Sequence, residues 1–205
     1  MSRGYTLYGR SGSGSVAPQI LLEELGVPYV IVWIDHDAAL APAYRRICPT
    51  GKVPALGLPE GGAIFESAAI CIHLGDAHPG CGLAPYPGTV AHARFLQWML
   101  FLASNVYGAI LRVYYSPRFT TAGDSSGVKS AALTEFDGYL ALVEENLASG
   151  LLGDAISTAD IYLFMLAGWH PDGEEAVRAR FPKLGALCAR IAARPAVARV
   201  LAANA

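Results

Sequence analysis

The chain is poor in the groups that would give it an easily read chemistry. Only four cysteines occur in 205 residues, at positions 48, 71, 81 and 188. None forms a C-x-x-C pair or a zinc-ligand spacing, which argues against a dithiol redox centre and a structural metal site. Charge of one sign is also lacking: the net charge is −2, so no nucleic acid and no anionic membrane surface is expected as partner. No apolar run reaches the ~18–20 residues of a spanning helix. Phe95–Ala103 and Ile161–Trp169 are the longest candidates, and both suit buried core helices. The first residues, Met-Ser-Arg-Gly-Tyr-Thr-Leu-Tyr-Gly, carry no apolar core of a secretory signal. The expectation is a cytoplasmic protein with reduced thiols.

What is abundant is apolar side chain. Hydrophobic residues make up 53% of the sequence and charged ones 16%, far from the balance of a disordered chain. The two halves differ in texture. Tyr5–Tyr8 reads as a strand, 9–15 as a Gly/Ser loop, Ser15–Leu25 as a helix and Tyr29–Ile34 as a buried strand. Gly26 ends that helix, and Pro18 falls in its first turn, where a missing N–H costs little. A weakly defined helical stretch near Leu40–Ile47 leads to a hairpin, Ala55–Leu58 and Ala63–Phe65, around Glu60-Gly61-Gly62. Ser67 is expected to cap a following helix.

The segment Asp76–Gly88 is dense in proline and glycine and marks a linker. Beyond it, three apolar stripes at helical spacing predict a helical domain: Phe95/Trp98/Met99/Leu102/Val106, Leu133/Phe136/Leu140/Val143/Leu147, and Leu184/Leu187/Cys188/Ile191. Ser157 and Asp160 have the spacing of a capping box, with aspartate as a shorter variant of the usual glutamate. The expected division is a small α/β domain over 1–78 and an all-helical domain over 88–205.

Three motifs in this order carry a family resemblance: Thr50-Gly51-Lys52-Val53-Pro54-Ala55-Leu56, Phe65-Glu66-Ser67-Ala68-Ala69-Ile70 and Ser157-Thr158-Ala159-Asp160. With the element order, they make the whole chain resemble the glutathione S-transferases. The variety resembled is bacterial, either serine-type or beta-like with the cysteine position replaced by glycine. The resemblance implies an α/β plus all-α architecture, a thioredoxin-like N-terminal domain followed by a helical C-terminal domain. It implies glutathione as co-substrate, no metal, and a homodimer.

It also implies a cradle. Pro54 would be cis, and the backbone of Val53 would pair with the extended tripeptide as an added strand would. Lys52 would lie near the glycine carboxylate. Ser67, at a helix N-terminus, would meet the γ-glutamyl carboxylate, and Glu66 the ammonium. The bland alternative is a rigid turn with an exposed lysine, a capping serine and a solvated glutamate.

Activation of the thiol falls to Arg10-Ser11-Gly12-Ser13-Gly14-Ser15. Lowering a thiol pKa by about two units takes roughly 2.7 kcal/mol, and one hydrogen bond to the anion supplies ~1.5–3 kcal/mol. The family's serine position aligns with Gly12 and the beta-type cysteine position with Gly14, so both are vacant. Ser13 is ranked first as donor, then Ser15 and Ser11, with backbone N–H groups in support; a plain Gly/Ser loop with Ser15 as N-cap is the alternative. Tyr8 lies too early in the first strand for a tyrosine-type site, and Cys48 reads as a small buried side chain. Asn105, Tyr107, Arg112 and Tyr114, with Tyr115 and Phe119, are candidates to line the acceptor pocket. His73, His78 and Cys81 read as surface positions, and His170 as a helix terminus. The implied activity is attack of glutathione on a small electrophile. Alternatives are a non-catalytic glutathione-binding module or a glutathione-dependent isomerase or lyase.

Overall fold

A computed structural model describes residues 4–205, which form two compact units: residues up to Pro87 together with Ile191–Ala205, and Gly88–Arg190. In the first, alternating burial along β1 (Tyr5–Gly9) directs Tyr5 and Leu7 to one face. Helix α1 (Val16–Leu25) packs beside it and ends at Gly26, whose φ of 62° is the left-handed conformation glycine tolerates. Strand β2 (Tyr29–Trp33) pairs parallel with β1, Tyr5 opposite Tyr29.

The reading of β2 as a buried strand is corrected. It is an outermost strand of a sheet ordered β2-β1-β3-β4, and Val30 is 60% exposed and Trp33 47%. A continuous apolar run does not distinguish an edge strand from a central one. The weakly defined helical link resolves into α2 (His36–Leu40) and α3 (Pro42–Arg45). Asp35 caps α2 by accepting the Ala38 N–H at 2.7 Å, and Pro42 starts α3, where its missing donor costs nothing.

The hairpin of β3 (Ala55–Gly57) and β4 (Ala63–Phe65) is antiparallel, and β3 also runs antiparallel to β1. Helix α4 (Ser67–Ala77) follows directly. The unit is completed by the end of the chain. Helix α11 (Pro195–Ala203) buries Ala196, Val197 and Val200 and lies against α1. Arg194 Nε donates to Glu24 at 2.7 Å, Arg199 to Glu23 at 2.9 Å, and Asn204 to the buried Gln19 at 2.9 Å. The division at 88–205 therefore differs from the observed packing, in which the last fifteen residues join the N-terminal unit.

The second unit is helical. Helix α5 (Val90–Phe101) continues through a π-turn, Leu102–Val106, into α6 (Tyr107–Tyr114), so one expected stripe runs along a longer helix with an inserted residue. Helix α7 (Ser126–Asn146) buries Phe136, Leu140 and Val143. Helix α8 (Thr158–Ala167) is buried almost throughout and opens on the complete capping box of Ser157 and Asp160. Helices α9 (Gly173–Arg180) and α10 (Pro182–Ala192) follow. His170 is more than a helix terminus: its fully buried side chain lies 3.0 Å from Asp137, with Arg180 bridging Asp137 and Asp172. Among the described residues no helix is long and apolar enough to cross a membrane.

Candidate functional site

Strand register brings the predicted motifs together. Tyr8 pairs with Ala55, and Ala55 with Phe65. The loop starting at Arg10, the Val53-Pro54 bond and the Glu66-Ser67 pair therefore all leave the same end of three adjacent strands. Residues far apart in sequence converge because β3 runs opposite to both neighbours.

In the loop after β1, the Arg10 carbonyl is a hub. It accepts the Ser13 hydroxyl at 2.7 Å and the Ser15 hydroxyl at 3.0 Å, while the Arg10 N–H donates to Ser15 Oγ at 3.2 Å. Ser13 and Ser15 Oγ are 3.0 Å apart. Ser15 is fully buried; it occupies the N-cap position of α1 but caps no N–H through its side chain. Ser13 is half-buried, and Ser11 is exposed with its hydroxyl on the Asn204 carbonyl. Each of the three serine hydroxyls has a carbonyl acceptor within hydrogen-bond distance, and Ser13 and Ser15 can also bond each other. Gly12 adopts φ 63°, which explains a glycine there in backbone terms.

The Val53-Pro54 peptide bond is cis. Behind it, the buried Tyr44 donates its hydroxyl to the Lys52 carbonyl at 2.7 Å, fixing the segment from below. Burial pushes the Tyr44 hydroxyl well above the ordinary tyrosine range, with Cys48 adding to the effect and Arg10 opposing it. Tyr44 belongs to a small core of Ile34, Ala39, Cys48 and Ala55, and its ring is 5.8 Å from that of Tyr8. Cys48 is the buried small side chain expected, its Sγ 3.2 Å from the Thr50 hydroxyl. The N–H and C=O of Val53 make no backbone hydrogen bond among the described residues. Lys52 and Arg10 are exposed, and neither has an acidic partner among the ion pairs of the described residues.

Ser67 does not cap α4. The N-cap is Glu66, which takes φ 75° and ψ 114°, and Ser67 is the first helical residue, buried to 8% exposure. The turn comes one residue earlier than expected because Glu66 accepts a positive φ that a non-glycine residue adopts at a cost of ~1–3 kcal/mol. The Glu66 side chain is exposed. No periodicity or composition signals such a conformation for a glutamate. Tyr44 was missed for a different reason: it belongs to no motif, and only packing brings its hydroxyl to the Lys52 carbonyl. Arg10 opened the Gly/Ser loop but was given no role of its own.

The acceptor candidates lie in the helical unit, where Tyr114 is exposed and Asn105, Tyr107 and Arg112 are half-buried. Arg112 bonds Glu135, Tyr114 donates to the Trp169 carbonyl at 2.8 Å, and the Tyr107 ring stands edge-on to Trp169 at 5.4 Å. Asn105 donates to the Ser104 hydroxyl at 3.0 Å. An open cavity of about 440 Å³ lies at the opposite end of β1, lined by Tyr5, Thr6, Tyr29 and Pro59 among others, and shares no residue with the convergent loops. Among the described residues no cluster of His, Cys, Asp or Glu is placed to hold a metal ion.

A four-stranded mixed sheet flanked by helices, with a cis-proline before β3, defines the first unit as thioredoxin-like; an all-helical unit follows it. The glutathione S-transferase N-terminal domain model matches residues 16–77 and the C-terminal domain model residues 104–195. The chain belongs to the glutathione S-transferase family. A bacterial beta class glutathione S-transferase of Sphingomonas chungbukensis is 33% identical with a TM-score of 0.83, over 97% of this chain and 98% of that one. A glutathione transferase homologue from sulfitobacter, with bound glutathione, is 29% identical with a TM-score of 0.85, over 97% of each chain. The uncharacterized GST-like protein YncG of Escherichia coli strain K12 is 25% identical over 202 residues, 97% of each chain.

Proposed function

We propose that the chain binds glutathione at the convergent end of the sheet and activates its thiol for attack on a small electrophile. The observation that carries the proposal is the register that gathers Arg10–Ser15, Val53-Pro54 and Glu66-Ser67. The extended tripeptide pairs through its cysteinyl residue with the Val53 backbone, whose N–H and C=O lack an internal backbone partner. Lys52 attracts the glycine carboxylate. The γ-glutamyl carboxylate lies at the N-terminus of α4 near Ser67, where free N–H groups and the helix dipole favour an anion. Glu66 takes the ammonium. The similarity to glutathione-bound members of the family supports the same reading.

Among the serines, Ser13 is the proposed hydroxyl donor. It is half-buried and turns from the Arg10 carbonyl to the sulfur by rotation about one bond, whereas the fully buried Ser15 holds the loop together. In the reaction a sulfur–carbon bond forms, and either a leaving group departs with its electron pair or the adduct takes a proton from solvent. Contacts of the electrophile with Asn105, Tyr107, Arg112 or Tyr114, a cytoplasmic location and a homodimer belong to the proposal. One observation favours a non-catalytic glutathione-binding module: every serine proton of the loop already has a carbonyl acceptor.

Steady-state conjugation of an aryl halide and of an α,β-unsaturated carbonyl compound separates the two. Turnover above the uncatalysed rate, reduced about 10- to 100-fold in Ser13→Ala as loss of one bond to an anion implies, supports the transferase reading. Glutathione binding without turnover on any electrophile favours the binding module, and an unchanged Ser13→Ala rate removes Ser13 as donor.

A further inference from the structure

We infer that Arg10 stabilises the glutathione thiolate directly, as the cation that takes the place of a dedicated hydroxyl or cysteine at the vacant positions 12 and 14. The inference rests on the reading of this site as a glutathione cradle. Four observations lead to it.

First, register puts Arg10 and Val53 at the same end of the sheet: Arg10 directly follows β1, and Val53 lies two residues before Ala55, which opens β3 opposite Tyr8. Secondly, the side chain is anchored at one point only. Arg10 Nε donates to the Ile34 carbonyl at 3.0 Å, which orients the guanidinium and leaves its terminal N–H groups without another partner among the hydrogen bonds described. Thirdly, the charge is not neutralised: Arg10 is exposed and enters no ion pair among those of the described residues. Its field reaches the site, since it opposes the upward push on the Tyr44 hydroxyl that itself bonds Lys52. Fourthly, the Ser13 hydroxyl must give up its bond to the Arg10 carbonyl before it reaches the sulfur, whereas the terminal guanidinium N–H groups of the same residue have no such bond to give up.

The titratable and charged groups around Arg10 are Tyr8 on β1, Tyr44 on α3, Asp35 next to Ile34, and Lys52 beside Val53. Asp35 is engaged in capping α2 through the Ala38 N–H. Ionisation breaks the glutathione S–H bond and releases the proton to solvent; the guanidinium keeps its charge and accepts no proton. The sulfur anion is favoured by a nearby cation, as cysteine thiolates are beside arginine or lysine.

The test uses the full chain and reads ultraviolet thiolate absorbance of bound glutathione against pH, with S-methylglutathione as a ligand that has no thiol. Arg10→Gln is expected to raise the bound thiol pKa by about one unit, a roughly tenfold loss of thiolate near neutral pH. S-methylglutathione affinity should change less than twofold, and Arg10→Lys should keep most of the shift. Arg10→Met repeats the measurement with a neutral side chain that packs differently. S-methylglutathione binding shows that each variant has kept its fold. An unchanged thiol pKa in both neutral variants overturns the inference. So does an equal loss of affinity for glutathione and S-methylglutathione at constant thiol pKa, which would assign Arg10 to a carboxylate. If wild-type protein binds glutathione with an unshifted thiol, the inference falls and the cradle stands. If it binds neither ligand, both fall.

Discussion

Tyr44 reaches from α3 to the irregular segment that precedes β3 and donates its hydroxyl to the Lys52 carbonyl at 2.7 Å. The tyrosine is buried and comes from another element, so this one bond ties a helix to the cis-proline segment. Tyr44→Phe removes the donor and leaves the ring in place. The expected result is a stability loss of about 1 kcal/mol in urea unfolding. Glutathione KM should rise several-fold and kcat should change little, because binding is lost equally in ground and transition states. A kcat loss without a KM change would contradict a positioning role.

Glu66 combines a proposed contact to the ligand's ammonium with backbone strain. At φ 75° glycine is at ease and alanine is not. Glu66→Gly should therefore be more stable than Glu66→Ala by about 1 kcal/mol, measured by denaturant unfolding. Both should lose glutathione affinity alike, since both remove the carboxylate proposed to meet the ammonium. Equal stability of the two variants would mean that the chain relaxes the turn at no cost.

Asp160 is fully buried, and its two oxygens accept three hydrogen bonds: Leu151 N–H at 2.7 Å, Ser157 N–H at 2.8 Å and the Ser157 hydroxyl at 2.6 Å. Asp160→Ala leaves these donors buried without an acceptor and removes the capping box. A loss of about 3 kcal/mol in unfolding free energy is expected. Glutathione affinity of the protein that remains folded should be unchanged, because Asp160 belongs to the other unit.

Motifs with strict spacing were legible. The capping box needs only two residues three apart, and the hairpin only two short β-rich runs around Glu60-Gly61-Gly62, and both were found where expected. The cis bond between Val53 and Pro54, which the family resemblance implied, is present as well. What escaped depends on neighbours distant in sequence. The exposure of β2 follows from its place at the sheet edge, and α11 joins α1 through Glu23 and Glu24, residues some 170 positions away. The shift of the cap from Ser67 to Glu66 depends on one dihedral angle, which no side-chain pattern encodes. His170 looked like a terminus because its partner Asp137 lies on a helix 33 residues earlier.

The four thiols should separate sharply in reactivity. Cys48, Cys71 and Cys188 are buried, and Cys81 is exposed. Burial pushes the Cys71 thiol far up, and burial followed by the charge of Glu174 pushes Cys188 up to about 12. A raised thiol pKa favours the neutral form, so at pH 8 only about one part in ten thousand of Cys188 is thiolate. An aromatic disulfide reagent should therefore titrate one thiol rapidly in the native protein and four after denaturation. Loss of the fast phase in Cys81→Ser identifies it; two or more fast thiols would contradict the described burial.

The central claim is that one end of the sheet is a glutathione cradle, and calorimetric titration with glutathione tests it most directly. Wild-type protein should bind one glutathione per chain, Lys52→Ala and Ser67→Ala should each weaken binding about tenfold or more, and Thr6→Ala, at the far end of β1, should bind as wild type does. Saturable binding that is indifferent to Lys52 and Ser67, or no binding by the wild-type chain, would contradict the account.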